Sequence, residues 1–385
     1  MEELDASLRK LDLSSRNHTS FGNDGVPFQP SGHLAAKLGD TPRYLFRVFS
    51  KTTRGENTND WVRSGAAIEG KLGDIFERND ASKVAITLNE HLRWCNPNGD
   101  PFMSWTTSLA FAIQYAIYKG KMENAELQTI QLCIVDTTKF PRGVFARDLD
   151  LIEEFEDKVP EHQLIEVKGK ITTWKHRGLG NLHWLRRKKH ETFSGFYYFG
   201  EYLSQGQMNI KGRSCTVSCN KIINNHLFTL APLFRIELES AKPEWANAVI
   251  NLREPFYTRT SQNAEGTEPA HLIAAMMISL EFAPNWFIPM FANLLSLSPR
   301  CAQDQGICGV IICVYPSRVR RLSLSRETKV IADENIPEVQ QFSKIVRDIG
   351  EDGTMWKYYV TVGKFYSLGI LVRFSGKGTR FRSGF

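Results

Sequence analysis

The feature that most constrains the fold is a short strand with hydroxyl side chains that leads directly into an apolar helix. Residues 102–108 read F-M-S-W-T-T-S, which predicts a short strand that ends in hydroxyls. Residues 109–118 (L-A-F-A-I-Q-Y-A-I-Y) are apolar almost all round, which predicts a buried helix, and Ser108 is a favourable N-cap for it. A buried helix needs other elements to cover it, so these residues predict a mixed α+β protein.

The length predicts more than one packed unit. The chain has 385 residues, and single hydrophobic cores stop growing beyond roughly 250–300 residues. Strands dominate before a boundary near residue 240 and helices dominate after it, which predicts four segments. These are a flexible leader (1–40), a strand-rich domain (41–240), a mainly helical region (241–375) and a basic tail (376–385).

Seven further segments have clear secondary-structure patterns. Tyr44–Ser50, Thr129–Asp136 and Gly309–Val314 are short apolar runs that predict buried strands. Ile75–Trp94 and Val339–Ile349 have helical spacing of their apolar residues. Near the C-terminus, a pair of strand-like runs predicts a terminal hairpin, and it consists of Tyr358–Val362 and Leu368–Phe374.

The most hydrophobic segment, Ala270–Leu297, predicts two buried helices rather than a membrane span. A spanning helix needs about 20 mostly apolar residues. Glu281 and two prolines interrupt this segment, and the break is expected at Ala283–Asn285. No membrane association is therefore predicted, and the N-terminal residues show no secretory signal.

The cysteines, the histidines and the net charge bear on metal binding, on the cellular compartment and on the charge of the ligands. The seven cysteines include no C-x-x-C pair, and the histidines are spaced too irregularly for a zinc site, so no metal is predicted. Reduced thiols are typical of a cytoplasmic or nuclear protein. The net charge of +6 favours the approach of anionic ligands but is too small to predict nucleic-acid binding by itself.

Three polar motifs stand out among the strand-like runs. They are Arg47 in Y-L-F-R-V, the hydroxyl cluster from Ser104 to Ser108, and Glu201 in G-E-Y-L-S-Q-G. Taken singly, each has an ordinary explanation: a structural ion pair, a helix cap and a solvated turn. Taken in this order, they resemble the arginine–serine–glutamate layout of the toxin-like ADP-ribosyltransferases, over about residues 42–210.

The resemblance implies a split pair of small antiparallel β-sheets with helices, and a cleft that binds NAD as a substrate. The implied reaction breaks the bond between nicotinamide and ribose and transfers ADP-ribose to an unknown protein or nucleic-acid acceptor, or to water. Positive charge builds up on the sugar as this bond breaks. A fixed carboxylate stabilises that charge, and the resemblance gives this role to Glu201.

The resemblance also implies roles for the other motif residues. Arg47 would bind the pyrophosphate, because a planar and permanently charged guanidinium suits that group. Ser104, with Thr106 as its helper, would hold Glu201 in place by hydrogen bonds. Tyr197 and Tyr198 would flank the nicotinamide ring, with burial in the core of a sheet as the alternative.

Two residues depart from the family pattern and leave an alternative function open. Trp105 stands where a small hydroxyl residue is more usual. Phe199 stands two residues before Glu201, where members that modify arginine have a second glutamate. The acceptor of the ADP-ribose group is therefore not determined. The alternative function is that of a catalytically inactive protein-interaction module of the same fold.

A wider resemblance carries no known activity. From about Tyr44 to beyond Arg300, the sequence is similar to an uncharacterised domain family of filamentous fungi. The stretches that carry this resemblance include L-F-R-V, S-W-T-T-S-L-A-F-A-I-Q-Y-A and W-F-I-P-M.

A basic run provides the third functional alternative. Residues 184–190 read W-L-R-R-K-K-H. Such a patch favours a nuclear-localisation signal or nucleic-acid binding, and a solvated loop is the ordinary alternative. The candidate contacts are Arg186, Arg187, Lys188 and Lys189.

Overall fold

The structure is a computed structural model that consists of two compact units interleaved along the chain. It describes residues 24–39, 41–95, 99–189, 197–234, 244–258, 266–301, 304–314 and 336–351. The first unit comprises residues 1–107, 133–188 and 200–216, and the second comprises 108–132, 189–199 and 217–385. The chain thus passes between the units several times, whereas the sequence had suggested one boundary near residue 240.

Within the described residues the strands form three sheets, and the strand pairs with a defined register are antiparallel. The strands are β1 (Tyr44–Phe49), β2 (Glu56–Asn57), β3 (Trp61–Arg63), β4 (Phe102–Thr106), β5 (Gln131–Asp136), β6 (Ala146–Arg147), β7 (Leu164–Val167), β8 (Lys170–Thr173), β9 (Glu201–Gln205), β10 (Gln207–Asn209) and β11 (Ser214–Ser218). The main sheet has the order β11-β5-β1-β4-β9-β6, the second has the order β10-β3-β2, and β7 and β8 form a hairpin. The predicted α+β class with antiparallel sheets is confirmed.

The helices are spread over both units. They are α1 (Gly32–Lys37), α2 (Gly65–Ile68), α3 (Ala81–Leu92), α4 (Leu109–Met122), α5 (Asp148–Phe155), α6 (Trp174–Arg177), α7 (Leu179–Arg187), α8 (Cys219–Asn224), α9 (Leu227–Leu230), α10 (Glu244–Thr258), α11 (Pro269–Leu280), α12 (Phe287–Leu295), α13 (Gln305–Val314) and α14 (Pro337–Glu351).

Two hydrophobic cores cover opposite faces of the main sheet in the first unit. One core joins the sheet to helices α3, α5 and α7, and its members include Leu88, Leu151 and Leu203. The other core joins the sheet to the three-stranded sheet, and its members include Leu45 and Trp105. Because successive residues of a strand point to opposite faces, membership of one core or the other shows on which face a side chain lies.

The second unit is helical around a buried ion pair. Every residue of α12 is buried. Arg253 of α10 is only 1% exposed and donates to the carboxylate of Glu338 on α14, with an Nη2–Oε1 distance of 2.9 Å. Ser108 also donates to Glu338 at 2.5 Å and accepts the backbone N–H of Phe111 as the N-cap of α4. Burial of an ion pair is tolerated when further hydrogen bonds satisfy both charges.

Several sequence predictions are confirmed. Residues 102–106 form β4, Ser108 caps α4, and α14 includes the predicted helix at 339–349. The apolar segment 270–297 forms α11 and α12, which are separated by a 3₁₀ turn at Pro284–Trp286. No helix among the described residues is long and apolar enough to cross a membrane.

Other predictions were wrong. Gly309–Val314 lies in helix α13, because a short apolar run fits a buried helix as well as a buried strand. The predicted helix at 75–94 is divided into a 3₁₀ turn at Ile75–Glu77 and helix α3, which begins after Asp80 as its N-cap. The described part of the leader is ordered, because residues 32–37 form α1 and Val26 is fully buried.

Some predictions fall outside the described residues. They are the hairpin at 358–362 and 368–374 and the basic tail at 376–385. Within the described part, Cys133 and Cys219 are free and buried, and burial raises the pKa of each thiol to about 12.

Candidate functional site

A strip of polar side chains lies on the face of the main sheet that is covered by α3, α5 and α7. In the register between β4 and β9, Thr106 stands opposite Glu201 and Ser104 stands opposite Leu203. Leu203 belongs to the core beneath these helices, so Ser104, Thr106 and Glu201 share its face. Ser104 and Glu201 are diagonal neighbours on adjacent strands, a relationship with a typical separation of about 7–8 Å.

Arg47 lies on the opposite face of the sheet. Its neighbour Phe46 stands opposite Thr106, so Phe46 shares the face of the polar strip and Arg47 points away from it. The guanidinium lies 5.7 Å from the ring centroid of Trp105, whose side chain belongs to the other core. The expected convergence of Arg47, Ser104 and Glu201 on one cleft is therefore wrong.

Arg47 instead stabilises the sheet from within the second core. Its Nη1 donates to the backbone carbonyl of Ser104 at 2.8 Å, and its Nε donates to Asn57 Oδ1 at 3.0 Å. Trp105 donates its indole N–H to Ser204 Oγ at 2.8 Å, so the residue that departs from the family pattern is a satisfied core side chain. Both side chains are buried.

Ser104 belongs to a chain of three hydrogen-bonded side chains. His91 Nε2 lies 2.8 Å from Ser104 Oγ, and His91 Nδ1 lies 2.6 Å from Asp100 Oδ2. Asp100 is fixed in turn by the backbone N–H of Phe102, which donates to Oδ1 at 2.9 Å. A carboxylate only accepts hydrogen bonds, so Nδ1 carries a proton, and in the neutral imidazole Nε2 accepts from the serine hydroxyl.

Glu201 is engaged with a positive charge. Arg186 Nη2 donates to Glu201 Oε2 at 2.7 Å, and Arg186 Nε lies 2.8 Å from Asp148 Oδ2. The Asp148 side chain is fully buried, whereas the Glu201 side chain is 15% exposed. Arg186 thus contacts two carboxyl groups with a single positive charge, and Glu201 is the one that solvent reaches.

The two predicted ring-flanking tyrosines lie in the second unit. Tyr198 is 1% exposed, and its backbone carbonyl accepts from Arg253 Nη1 at 2.6 Å. The ring of Phe199 stacks on that of Phe111, with centroids 5.0 Å apart. Tyr198 is therefore a core residue, which was the alternative interpretation. Tyr197 is partly exposed, and its hydroxyl lies 3.4 Å from Asn247 Oδ1.

The basic run at 186–189 divides into one buried and three exposed residues. The Arg186 side chain is only 10% exposed because it lies in the ion-pair cluster, so its assignment to a nucleic-acid surface was wrong. Arg187, Lys188 and Lys189 are exposed. Burial, together with the nearby charge of Arg177, lowers the pKa of Arg93 to about 10.

A groove of about 590 Å³ runs beside α3, and none of the predicted site residues lines it. Its polar lining includes Lys83, Thr87 and Glu90. Burial, with the nearby carboxylate of Asp100, raises the pKa of Glu90.

Sequence reasoning missed His91, Asp100 and Asp148. His91 follows Leu88 by three residues on the apolar face of α3, which was a signal that its side chain points inward. Asp100 gave no comparable signal, because it follows a turn-rich loop. Among the described residues, no group of three or more His, Cys, Asp or Glu side chains is arranged to hold a metal ion.

The family comparison covers the part of the first unit that contains this hydrogen-bonded chain. Residues 40–176 match the model of a domain of unknown function (DUF7587). The match agrees with the predicted resemblance to an uncharacterised domain family. It includes Arg47, His91 and Ser104 but ends before Arg186 and Glu201. Comparisons with curated proteins and with solved structures give no match.

Proposed function

We propose that the first unit is an ADP-ribosyltransferase-like module that binds NAD and cleaves its nicotinamide–ribose bond. The observation that carries the proposal is the common face of Ser104, Thr106 and Glu201 on two adjacent antiparallel strands. These are the serine, the helper hydroxyl and the glutamate of the motif. The acceptor is an unknown protein or nucleic acid, or water.

The chemistry depends on Glu201. As the glycosidic bond breaks, the ribose acquires oxocarbenium character, and a fixed carboxylate stabilises the developing positive charge. The Glu201 side chain is partly exposed, so a substrate can reach it. Arg186 fixes its orientation through the 2.7 Å contact.

The proposal departs from the resemblance at Arg47 and keeps only its serine, helper hydroxyl and glutamate. Arg186, which is not part of the motif, is assigned to the substrate instead. It is the cation that lies against Glu201, and it is on the same face as Ser104. A guanidinium suits the pyrophosphate of a dinucleotide, which would have to displace a contact of Arg186 with Asp148 or Glu201 in order to bind. Arg47 retains a structural role only.

A second candidate function is a non-catalytic interaction module of the same fold. It is favoured by the closed ion-pair cluster, in which Arg186 already binds both Asp148 and Glu201. A substrate must compete with these contacts. In this alternative the cluster stabilises the fold and NAD does not bind.

A third candidate, nucleic-acid binding, is favoured by the exposed end of α7. Trp184 is 60% exposed, and Lys188 Nζ lies 5.9 Å from the centroid of its ring. No acidic residue occurs between residues 167 and 190. Exposed aromatic rings beside cations are typical of surfaces on which unpaired bases stack.

Titration with NAD during thermal unfolding tests the proposal. A ligand at one hundred times its dissociation constant stabilises the folded state by about 2.7 kcal/mol. We expect this stabilisation in the wild type and in Glu201→Gln, because the amide preserves shape. Absence of any NAD-dependent shift would overturn the proposal. In that case, salt-sensitive binding of a single-stranded oligonucleotide would favour the third candidate and its absence the second.

A further inference from the structure

We infer that Ser104 is a nucleophile, with His91 as its general base and Asp100 as the residue that orients the imidazole, and that the site takes carboxylic esters. The three side chains are connected in the order carboxylate, imidazole, hydroxyl, with distances of 2.6 Å and 2.8 Å. This order and these contacts are those of a serine nucleophile activated for acyl transfer, an arrangement that recurs on unrelated folds.

Strand β4 leaves Ser104 more exposed than its other residues. Ser104 is partly exposed, whereas the other four residues of β4 are buried. The side chains of His91 and Asp100 are 11% and 14% exposed. The hydroxyl, the imidazole and the carboxylate thus lie in a largely desolvated setting, where hydrogen bonds to charged groups are stronger.

The orientation of the base is fixed at both ends. His91 lies in the last turn of α3, and Asp100 Oδ2 holds its Nδ1 at 2.6 Å. Its ring also packs edge-on against Phe102, with centroids 5.4 Å apart. Asp100 is held by the N–H of Phe102, and its backbone carbonyl accepts from Ala66 at 3.0 Å.

The inferred acyl transfer is balanced. Ser104 Oγ forms a bond to the ester carbonyl carbon while its proton passes to His91 Nε2. The carbon–alkoxy bond breaks, and His91 returns the proton to the departing alcohol. Water then attacks the acyl-serine with His91 again as base, which releases the carboxylic acid and restores the hydroxyl.

An alkyl fluorophosphonate probes this nucleophile without NAD, so the test is independent of the proposed function. The Ser104 Oγ–phosphorus bond forms, the phosphorus–fluorine bond breaks, fluoride leaves, and His91 takes the proton. Intact mass of the full chain and peptide mapping give the number and position of adducts. We expect one adduct, at Ser104, on the folded wild type and none on the heat-unfolded chain.

Variants separate a nucleophile from a structural hydroxyl. Ser104→Ala should lose the adduct, and His91→Gln should slow labelling by about 10²-fold or more. Asp100→Asn should slow labelling and change the midpoint of its pH profile, which a merely structural residue would not do. Ser82→Ala is the matched control, because Ser82 lies on α3 and donates to the Lys158 carbonyl at 2.6 Å; its labelling should equal that of the wild type.

Three results would overturn the inference. They are an unlabelled wild type with a cooperative thermal transition, an adduct that maps to another residue, and equal labelling rates in the wild type and His91→Gln.

Discussion

Arg47 and Glu201 lie on opposite faces of the main sheet, although both come from its inner strands. Arg47 packs over Trp105 in the core between the two sheets, and Glu201 lies with Arg186 beneath the helices. Arg47 and Phe46 are adjacent in β1, so their side chains point to opposite faces of the sheet, and Phe46 shares the face of Glu201. This relationship changes the role of Arg47 from ligand binding to stability.

Arg47→Met should lower the free energy of unfolding by about 1–3 kcal/mol, because the buried Arg47 side chain loses its hydrogen bonds to the Ser104 carbonyl and to Asn57. Arg63→Met is the control. Arg63 also lies over a tryptophan, Trp61, but its ion pair with Glu56 is about one-third exposed, so its loss should cost about 1 kcal/mol or less. Urea denaturation measures both changes. If Arg47→Met left the free energy of unfolding unchanged but weakened the affinity for NAD, Arg47 would be a ligand-binding residue.

Arg186→Met should destabilise the protein by about 3–5 kcal/mol, because it leaves the buried Asp148 carboxylate without its cation. The adjacent and exposed Arg187 provides the control, and Arg187→Met should stay within about 0.5 kcal/mol of the wild type. Arg186→Lys keeps the charge and should retain part of the stability if the first variant does not fold. Equal unfolding curves for Arg186→Met and Arg187→Met would contradict the ion-pair cluster.

The titration of the Asp74 carboxyl should make the free energy of unfolding fall as pH rises. Burial raises its pKa in the folded state, although hydrogen bonds from Gln205 and Gln29 act in the opposite direction. The unfolded chain therefore loses this proton at a lower pH than the folded chain. The contribution is complete below the unfolded pKa of about 4 and is lost as pH rises through the folded pKa.

Asp74→Asn should remove this pH-dependent component, because the amide does not titrate. The variant also changes the hydrogen bonds at the position, so the slope is the informative quantity rather than the absolute stability. Urea unfolding at a series of pH values above 4 measures it. Parallel stability curves for the wild type and the variant would refute the assignment.

In the second unit, Glu338→Ala should lower the free energy of unfolding by about 3–5 kcal/mol, because the buried Arg253 guanidinium loses its contacts with the Glu338 carboxylate. Gln340→Ala, at an exposed position of the same helix, should have little effect. Thermal unfolding of both variants provides the comparison. A wild-type melting temperature for Glu338→Ala would show that α14 does not depend on this contact.

Sequence patterns predicted the helices and strands whose formation depends on residues that are adjacent in the chain. The change from strand to apolar helix at Thr106–Leu109, with Ser108 as cap, needs only adjacent side chains. The division of 270–297 follows from Pro284, which begins the turn between the two helices, whereas Pro289 lies within α12. The short run Gly309–Val314 gave no such signal, because six apolar residues satisfy a helix and a strand equally well.

The site depends on information that local patterns do not contain. A shift of one residue in the pairing of β1 with β4 would move Arg47 to the other face, and the sequence does not specify that register. His91 meets Ser104 only because α3 packs across the sheet. The helix, strand and hydroxyl were each predictable, whereas their hydrogen bonds were not.

Nicotinamide release from NAD by the wild type and by Glu201→Gln tests the proposed function most directly. Removal of the charge that faces the oxocarbenium should lower turnover by about 10²–10³-fold, while NAD-dependent thermal stabilisation persists. Arg47→Met should keep the wild-type turnover per folded molecule. Equal turnover by the wild type and Glu201→Gln, or no release by either, would contradict NAD cleavage at Glu201.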